Sequence, residues 1–382
     1  MHMKKNKDNK NNKANKDKIR IGIDINEANV ANRVGSNQYA FEILKALHKI
    51  DNTNQYTLYS SKPLVGDLPK TKKNWRYKVI PPAKLWTQWR LPLELIKDRN
   101  NLDVFYSPGH YAPRFSPIPT VVTIMDLAFL LFPKFFKKKD TNQLTNWTKY
   151  SIKKASSIIA ISKNTKKDIQ RYYKTPSEKI KIAYPGYSSQ SSIKINQQVL
   201  SKYKLDKNYI LFVGTIQPRK NIVRLVQAFD KIMGNHHLVI AGKKGWIYKD
   251  VEKAIENSPK KDKIHQLGFV PQKDLVSLIK KASCLVLPGL YEGFGIPPLE
   301  AINLGTIPVV SRTGSLPEVV GEKGLFFDPF SIDSISKALQ NAIKLTQAKK
   351  KAHIKQLKTH TKQFSWTSSA KNILEVLHEV AI

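Results

Sequence analysis

Four side chains in the second half of this chain have types and spacing suited to binding a charged, hydroxylated ligand. Arg219 and Lys220 are adjacent and stand where a short β-branched run, Tyr209–Val213, gives way to a helical pattern. A helix start already favours anions, so two cations there suit an anion that joins them, with Arg offering a forked contact and Lys a point charge. A diphosphate fits that demand. Two exposed basic residues in a Lys-rich protein fit the spacing equally well. Downstream, Glu292 and Glu300 flank Gly293, Phe294, Gly295 and Ile296, with Pro297 and Pro298 suited to a first helical turn. Beside a phosphate two carboxylates repel, so they suit hydroxyls, one of a sugar and one of a ribose. Glu300 suits equally a first-turn acid that complements a helix dipole. Gly214 permits a tight turn beside Thr215, and Gly293 and Gly295 permit close backbone approach.

These residues need rigid supports, and the hydrophobic pattern supplies them. Strand-like runs at Ile19–Ile25, Tyr56–Tyr59, Tyr77–Ile80, Val104–Tyr106, Val121–Met125 and Ser157–Ile161 alternate with helical stretches at Gln38–Ile50, Leu85–Lys97, Thr141–Ala155 and Asn164–Tyr173, the last capped by Ser162. A second series follows: strands Tyr209–Val213, His237–Ala241, Cys284–Leu287 and Ile307–Val310, with helices Asn221–Gly234, Asp274–Lys281 and Pro297–Leu304. The helix after residue 221 places Ile222, Leu225, Val226, Phe229, Ile232 and Met233 on one face. Such alternation predicts an α/β protein of two facing doubly wound, Rossmann-like domains, whose ligands lie beyond the carboxyl ends of the strands. The predicted organisation is a Lys/Asn-rich disordered tail (1–18), a first domain (19–190), a linker (191–207), a second domain (208–363) and an amphipathic C-terminal helix (364–382).

The 382 residues suit two or three domains at roughly 150 residues each. The 65 basic and 29 acidic residues leave a charge of +36, of which the first twenty residues hold +6. That excess suits solvated basic faces, nucleic acid, anionic lipid or an anionic substrate, and charge alone does not choose. The single cysteine, Cys284, excludes an internal disulfide and a Cys-cluster metal site and suits a reducing compartment. No apolar run reaches 18 residues, so a transmembrane helix is not expected, and no signal peptide is visible. Asp-x-Asp occurs nowhere, so no metal-held diphosphate is expected.

The segments VGTIQPRKNIVRLVQAF (213–229), LGFVPQKDLVSLIKKAS (267–283), PGLYEGFGIPPLEAINLGTIPVV (288–310) and GSLPEVVG (314–321) closely resemble the retaining GT-B glycosyltransferases of family 4, in which two Glu spaced as 292 and 300 form a specific signature. GIDINEANVANRVGSNQYAFEIL (22–44), PTVVTIMDLAFLLFP (119–133), IIAISKNTKKDI…IKIAYPG (158–186) and the closing FSW (364–366) match more loosely. The resemblance covers nearly all of residues 19–382 and is nearest to mannosyltransferase-like enzymes of bacterial surface-polysaccharide assembly.

This resemblance implies a GT-B fold with the last helix crossing back to the first domain, and transfer of a hexose, with GDP-mannose favoured over UDP- or dTDP-sugars, to a glycan or lipid-linked hydroxyl. It implies that Arg219 and Lys220 hold the donor diphosphate, Glu300 the ribose and Glu292 the sugar. Amides at Phe294, Gly295 and Ile296 line the sugar–phosphate region, the backbone at Phe269 and Val270 meets the base, and Gly35 in the loop Asn32–Asn37 approaches the phosphates. Cofactors and metals are not expected. Two positions depart from the family pattern. Met125 precedes Asp126 where many members carry His, and Gly289 stands where Ser is usual. Asp126 then orients hydroxyls or caps the following turn, and His110 is a weak substitute for the absent imidazole. Trp86, Trp89 and Arg90, with the basic run Lys134–Lys139, suit a lipid-linked acceptor at an anionic membrane surface; core packing is the competing reading for the tryptophans. The expected location is cytoplasmic, at most peripheral to the membrane. A sugar-nucleotide epimerase, a catalytically silent nucleotide-sugar-binding module and a nucleic-acid-binding protein are the rivals; basic residues are scattered and no nucleic-acid motif is present.

Overall fold

In the computed structural model, residues 18–33, 35–109, 111–187, 195–205 and 208–381 are described. His110, the tail up to residue 17 and parts of the expected linker (191–194 and 206–207) lie outside them. Linker residues 195–205 include a short helix, Val199–Lys202, whose Val199 is buried against the second sheet's core.

The first sheet contains β1 (Arg20–Asp24), β2 (Gln55–Ser60), β3 (Trp75–Val79), β4 (Val104–Ser107), β5 (Thr120–Ile124), β6 (Ser157–Ala160) and β7 (Ile180–Ile182), in spatial order 3-2-1-4-5-6-7. The second contains β8 (Tyr209–Val213), β9 (His237–Ala241), β10 (Ile264–Gly268), β11 (Cys284–Leu287), β12 (Pro308–Ser311) and β13 (Leu325–Phe327), in order 10-9-8-11-12-13. Neighbouring strands pair in parallel throughout both sheets. Continuous apolar strands such as Cys284–Leu287 are buried on both faces, which is why they read as unbroken hydrophobic runs. Strand order reverses beside β1 and beside β8, so the crevices lie beyond β1/β4 and β8/β11.

The expected elements are present with instructive differences. Ser162 caps the helix Lys163–Tyr173 by accepting the Thr165 amide at 2.9 Å. The helix anticipated over Asn221–Gly234 runs only from Ile222 to Asp230, which leaves Met233 beyond it and 75% exposed, and it follows a separate 3-10 turn, Pro218–Lys220. Asn221 breaks the two apart at φ 57°, a conformation Asn tolerates, and its amide donates to the carbonyls of Pro288 (3.1 Å) and Pro329 (2.7 Å). Arg219 and Lys220 therefore sit on a turn pinned to two other loops rather than on the helix itself. The stretch Leu85–Lys97 splits into a π-helical turn, Trp86–Arg90, and the helix Leu91–Lys97. Pro92 has no N–H to continue a regular ladder, so the widened turn lies just before it.

The last helix, Trp366–Ala381, packs on the first domain's helix Ser36–Ile50, with the Trp366 and Tyr39 rings 5.8 Å apart. Gly186 makes the crossing possible: a Cβ there would lie 2.1 Å from the Trp366 backbone nitrogen. Phe294, Leu299 and Val319 of the second domain join the same apolar cluster as Ile23 and Tyr39 of the first, so one core spans the two halves.

Candidate active site

The loops after β8 and β11 converge on one buried ion-paired centre. Lys220 Nζ donates to both Glu292 carboxylate oxygens at 2.9 Å, and Arg219 donates to Oε2 at 3.3 Å. Arg219 also holds the Tyr291 carbonyl. Glu292 is 6% exposed. Burial lowers the Lys220 pKa from its ordinary value, more than Glu292 restores it. Burial also opposes the charge on Arg219, but Glu292 and Asp126 outweigh it and hold that group above its usual value. Two cations thus share one carboxylate, and Arg219 Nε is buried without a hydrogen-bond partner. An unsatisfied buried donor beside surplus positive charge is a demand for an anion.

Glycines set this geometry, each through a particular neighbour. A Cβ at Gly289 would lie 2.4 Å from Glu292 Oε1, so the bare backbone makes room for the carboxylate. At Gly293 a Cβ would lie 2.4 Å from the Met125 carbonyl oxygen and 2.9 Å from Asp126 Cβ. The close approach that Gly293 makes within the chain is thus to the other domain's backbone. Gly295, at φ 119°, starts the helix Ile296–Leu304, and Leu316 would crowd any side chain there at 2.6 Å. Phe294 points its ring away into the interdomain core, 5.4 Å from Phe364 and 6.2 Å from Tyr184, so only its backbone faces the crevice loop. Ser315 fixes that loop: its amide donates to the Glu292 carbonyl (3.2 Å) and its hydroxyl to the Phe294 carbonyl (2.6 Å).

Glu300 stands further along the same helix, half-buried, with Gln272 donating to it at 3.4 Å. Burial pushes its pKa up to about 7; Gln272 lowers it, and Glu42 of the first domain raises it across the crevice. The loops after β8, β9 and β10 lie side by side, joined by Ile216 N to Lys243 O (2.9 Å) and Gly242 N to Gly268 O (2.8 Å). Gly214 and Thr215 are on the first of these, and a Cβ at Gly242 would strike the Gly214 carbonyl at 1.9 Å. On the third, Phe269 is exposed with the Lys243 ammonium 4.8 Å from its ring centre, and Val270 is buried beneath.

From the first domain, Asp126 accepts the Ala128 amide at 3.0 Å, which is the cap the sequence reading offered for it. Met125 is buried, and its carbonyl accepts the Thr165 hydroxyl at 3.1 Å. Gly35, at φ 55°, precedes the helix Ser36–Ile50. Glu27, which sequence reasoning missed, organises that loop by accepting from Ser36 (3.0 Å) and Asn37 (2.5 Å).

The tryptophans part company. Trp86 is 5% exposed and donates to the Ile80 carbonyl at 3.0 Å, so it is core and cannot meet an acceptor. Trp89 is 61% exposed. Arg90 is tied to the Pro81 carbonyl (2.8 Å) and Glu94 (3.2 Å). Sequence reasoning also missed Trp246, which donates to the Phe135 carbonyl across the domains, and Tyr291, which donates to Asp168. Among the described residues no group of three His, Cys, Asp or Glu side chains is placed to hold a metal ion, and no helix is long and apolar enough to cross a membrane.

Two facing doubly wound domains, with a last helix that returns to the first, define a GT-B architecture. Two family models match: Glycosyltransferase Family 4 over residues 35–190 and Glycosyl transferases group 1 over residues 194–364. The chain belongs to the family 4 glycosyltransferases of GT-B fold. It is 27% identical to the O-antigen chain mannosyltransferase B of Escherichia coli over 354 residues, which span 87% of this chain and 92% of that one. It is 28% identical over 241 residues to the serotype-specific mannosyltransferase WbdA of Escherichia coli, covering 58% of this chain but 28% of that protein. The solved structure of Anabaena Alr3699/HepE in complex with UDP and glucose superposes with a TM-score of 0.73 at 16% identity, covering 94% of this chain and 99% of that one.

Proposed function

We propose that this glycosyltransferase transfers a mannosyl group, with retention of configuration, from a nucleotide-diphospho-sugar to a hydroxyl of a surface-polysaccharide or lipid-linked acceptor. The observation that carries the reading is the buried centre in which Arg219 and Lys220 share the single carboxylate of Glu292 and Arg219 Nε has no partner. A donor diphosphate supplies the missing negative charge and takes the cations over from Glu292. The released carboxylate is then free to accept from sugar hydroxyls, and Glu300 from the ribose. The anomeric carbon–oxygen bond breaks with its electron pair passing to the diphosphate, whose new charge the two cations stabilise in a dry crevice. The acceptor oxygen bonds to the anomeric carbon on the face the diphosphate leaves, and its proton passes to the departing phosphate oxygen. No imidazole is required in that step, which is consistent with Met125 serving through its backbone. No metal enters this reading either, since the cations do its work.

Mannose is favoured because both Escherichia coli relatives are named mannosyltransferases, and GDP-mannose because the family resemblance implies that donor. UDP- and dTDP-sugars are the alternatives, the first supported by the ligand of the Anabaena protein. On the acceptor side, Leu85 before the π-helical turn, Trp89 on it, and Leu93 and Ile96 on the following helix are all exposed, an apolar stripe in sequence with Arg90 and Lys97 beside it. That stripe supports peripheral contact with an anionic membrane on its cytoplasmic face. The test is a thermal-shift panel of nucleotide sugars followed by transfer to polyprenyl-linked and oligosaccharide acceptors, with the product anomer read by NMR. GDP-mannose should give the largest shift and an α-linked product. Donor binding without transfer to any acceptor would replace this reading with a nucleotide-sugar-binding protein.

A further inference from the structure

We propose that Glu318 is an interdomain latch, a positioning residue whose carboxylate in the second domain caps a first-domain helix and through it holds the Glu292 loop in place. An α-helix leaves its first amides without intrahelical acceptors. In the helix Lys163–Tyr173, Ser162 satisfies Thr165 from within the same domain. The two amides before it are satisfied from the other domain: Lys163 N donates to both Glu318 oxygens at 3.0 Å and Asn164 N to Oε2 at 3.4 Å. Tyr184, also of the first domain, donates its hydroxyl to Oε1 at 2.6 Å. A carboxylate at a helix start, fixed by a phenol, is favoured by charge as well as by hydrogen bonding.

The same helix grips the residue before Glu292 and lies against the one after it. Asn164 Nδ2 donates to the Tyr291 hydroxyl at 3.2 Å, that hydroxyl donates to Asp168, and Thr165 Oγ1 lies 3.5 Å from the Gly293 carbonyl. Glu292's own carbonyl is held by Ser315, three residues before Glu318. The bonds close a ring, from Glu318 through the helix start to Tyr291, then through Glu292 and Ser315 back to Glu318, and it crosses the domain boundary twice. A cavity of about 610 Å³, lined by Lys163, Lys167, Glu318, Glu322, Lys323 and His360, opens beside the latch. Water there can take over the freed amides, so the latch can release and re-form without leaving them unpaired. Glu318 acts on the reaction only by fixing the pose of Glu292, and that last link rests on the proposed function above.

Hydrogen exchange on the full chain tests the latch without any turnover. Glu318→Gln removes the charge and faces an amide group toward two N–H donors. Exchange should accelerate about tenfold both at 162–166 and at the Glu292 loop, 289–295, while β11 stays at the wild-type rate. Glu322→Gln, an exposed acid four residues on, should leave both segments unchanged. Tyr184→Phe, which reaches the latch from the other domain and loses only a hydroxyl, should give the same paired pattern at smaller amplitude, and it decides the matter if Glu318→Gln fails to fold. Acceleration confined to 162–166, or absent from both segments, overturns the proposal. In the transfer assay, Glu318→Gln should raise the donor KM with kcat within about twofold, because a Glu292 loop that is less often in its binding pose weakens binding in proportion. Absence of transfer by the wild-type protein would count against the proposed function and leave the exchange result standing.

Discussion

Removing Glu292 should weaken the ligand-free protein and strengthen its grip on diphosphate at the same time. The carboxylate receives two bonds of 2.9 Å from Lys220 and one of 3.3 Å from Arg219, and the three side chains are 7%, 14% and 13% exposed. Deleting one partner of a buried pair leaves an uncompensated charge and costs about 3–5 kcal/mol. Here two cations lose their counter-charge, so Glu292→Ala belongs in that range. At about 2–4 °C per kcal/mol for domains of this size, the melting temperature should fall on the order of 10 °C. In the wild-type protein an incoming diphosphate must first displace the carboxylate; in the variant it meets the cations with only the more distant charge of Asp126 to oppose it. Sodium pyrophosphate or a nucleoside diphosphate should therefore raise the variant's melting temperature more than the wild type's, as its greater affinity requires by linkage. Transfer should be lost, because the carboxylate proposed to meet the donor sugar is gone. Scanning fluorimetry with and without ligand, alongside a transfer assay, reads all three quantities. A variant as stable as wild type, or one that pyrophosphate stabilises no more than wild type, would refute the charge argument.

Four further outcomes follow from particular contacts. Gly289→Ala places a methyl 2.4 Å from Glu292 Oε1 and should push the carboxylate off Lys220, lowering ligand-free stability by about 1–3 kcal/mol in denaturant titration; no change would mean the loop yields elsewhere. Gly186→Ala meets backbone, the Trp366 nitrogen at 2.1 Å, so it should unseat the C-terminal helix and expose the chain near residue 362 to limited proteolysis. Glu300 is raised from 4.5 to about 7, so between those values the unfolded chain has ionised while the folded protein keeps its proton, and the cost to stability is full above pH 7. Glu300→Gln should accordingly stabilise the ligand-free protein more at pH 8 than at pH 5, and an equal gain at both would refute the shift. Trp89→Ser should reduce co-sedimentation with anionic vesicles several-fold and leave neutral vesicles unaffected, whereas equal retention on both vesicle types would remove the membrane reading.

Much of the architecture was legible in the sequence because burial in a parallel sheet writes itself locally. Runs such as Ile210–Val213 and Cys284–Leu287 are apolar at every position since both faces are covered, and the intervening helices carry one apolar face. The short strand Ile180–Ile182 was less visible, because three residues among polar neighbours carry too little pattern. Arg219, Lys220, Glu292 and Glu300 were legible for a different reason: strand ends and glycine-proline loops mark where chemistry sits, and these are the charged residues there.

The sequence by itself determined the alternation of elements, the motif and the residue types in the crevice. Tertiary structure alone decided what each of those residues touches. Arg219 and Lys220 reach Glu292 across 73 and 72 residues of chain, a convergence that no local window contains. Trp86 and Trp89 are three residues apart, yet one fills the core and the other faces water, because a π-helical turn rotates them relative to the sheet. Gly289 and Gly293 look alike in sequence; one makes room for a carboxylate of its own loop and the other for the opposite domain's backbone. Glu318 reads as an ordinary helical acid until the second domain is folded against the first and brings it to two unpaired amides. Propensity and periodicity are properties of neighbours along the chain, whereas a binding site is a property of neighbours in space, fixed by the packing of two sheets against one shared core.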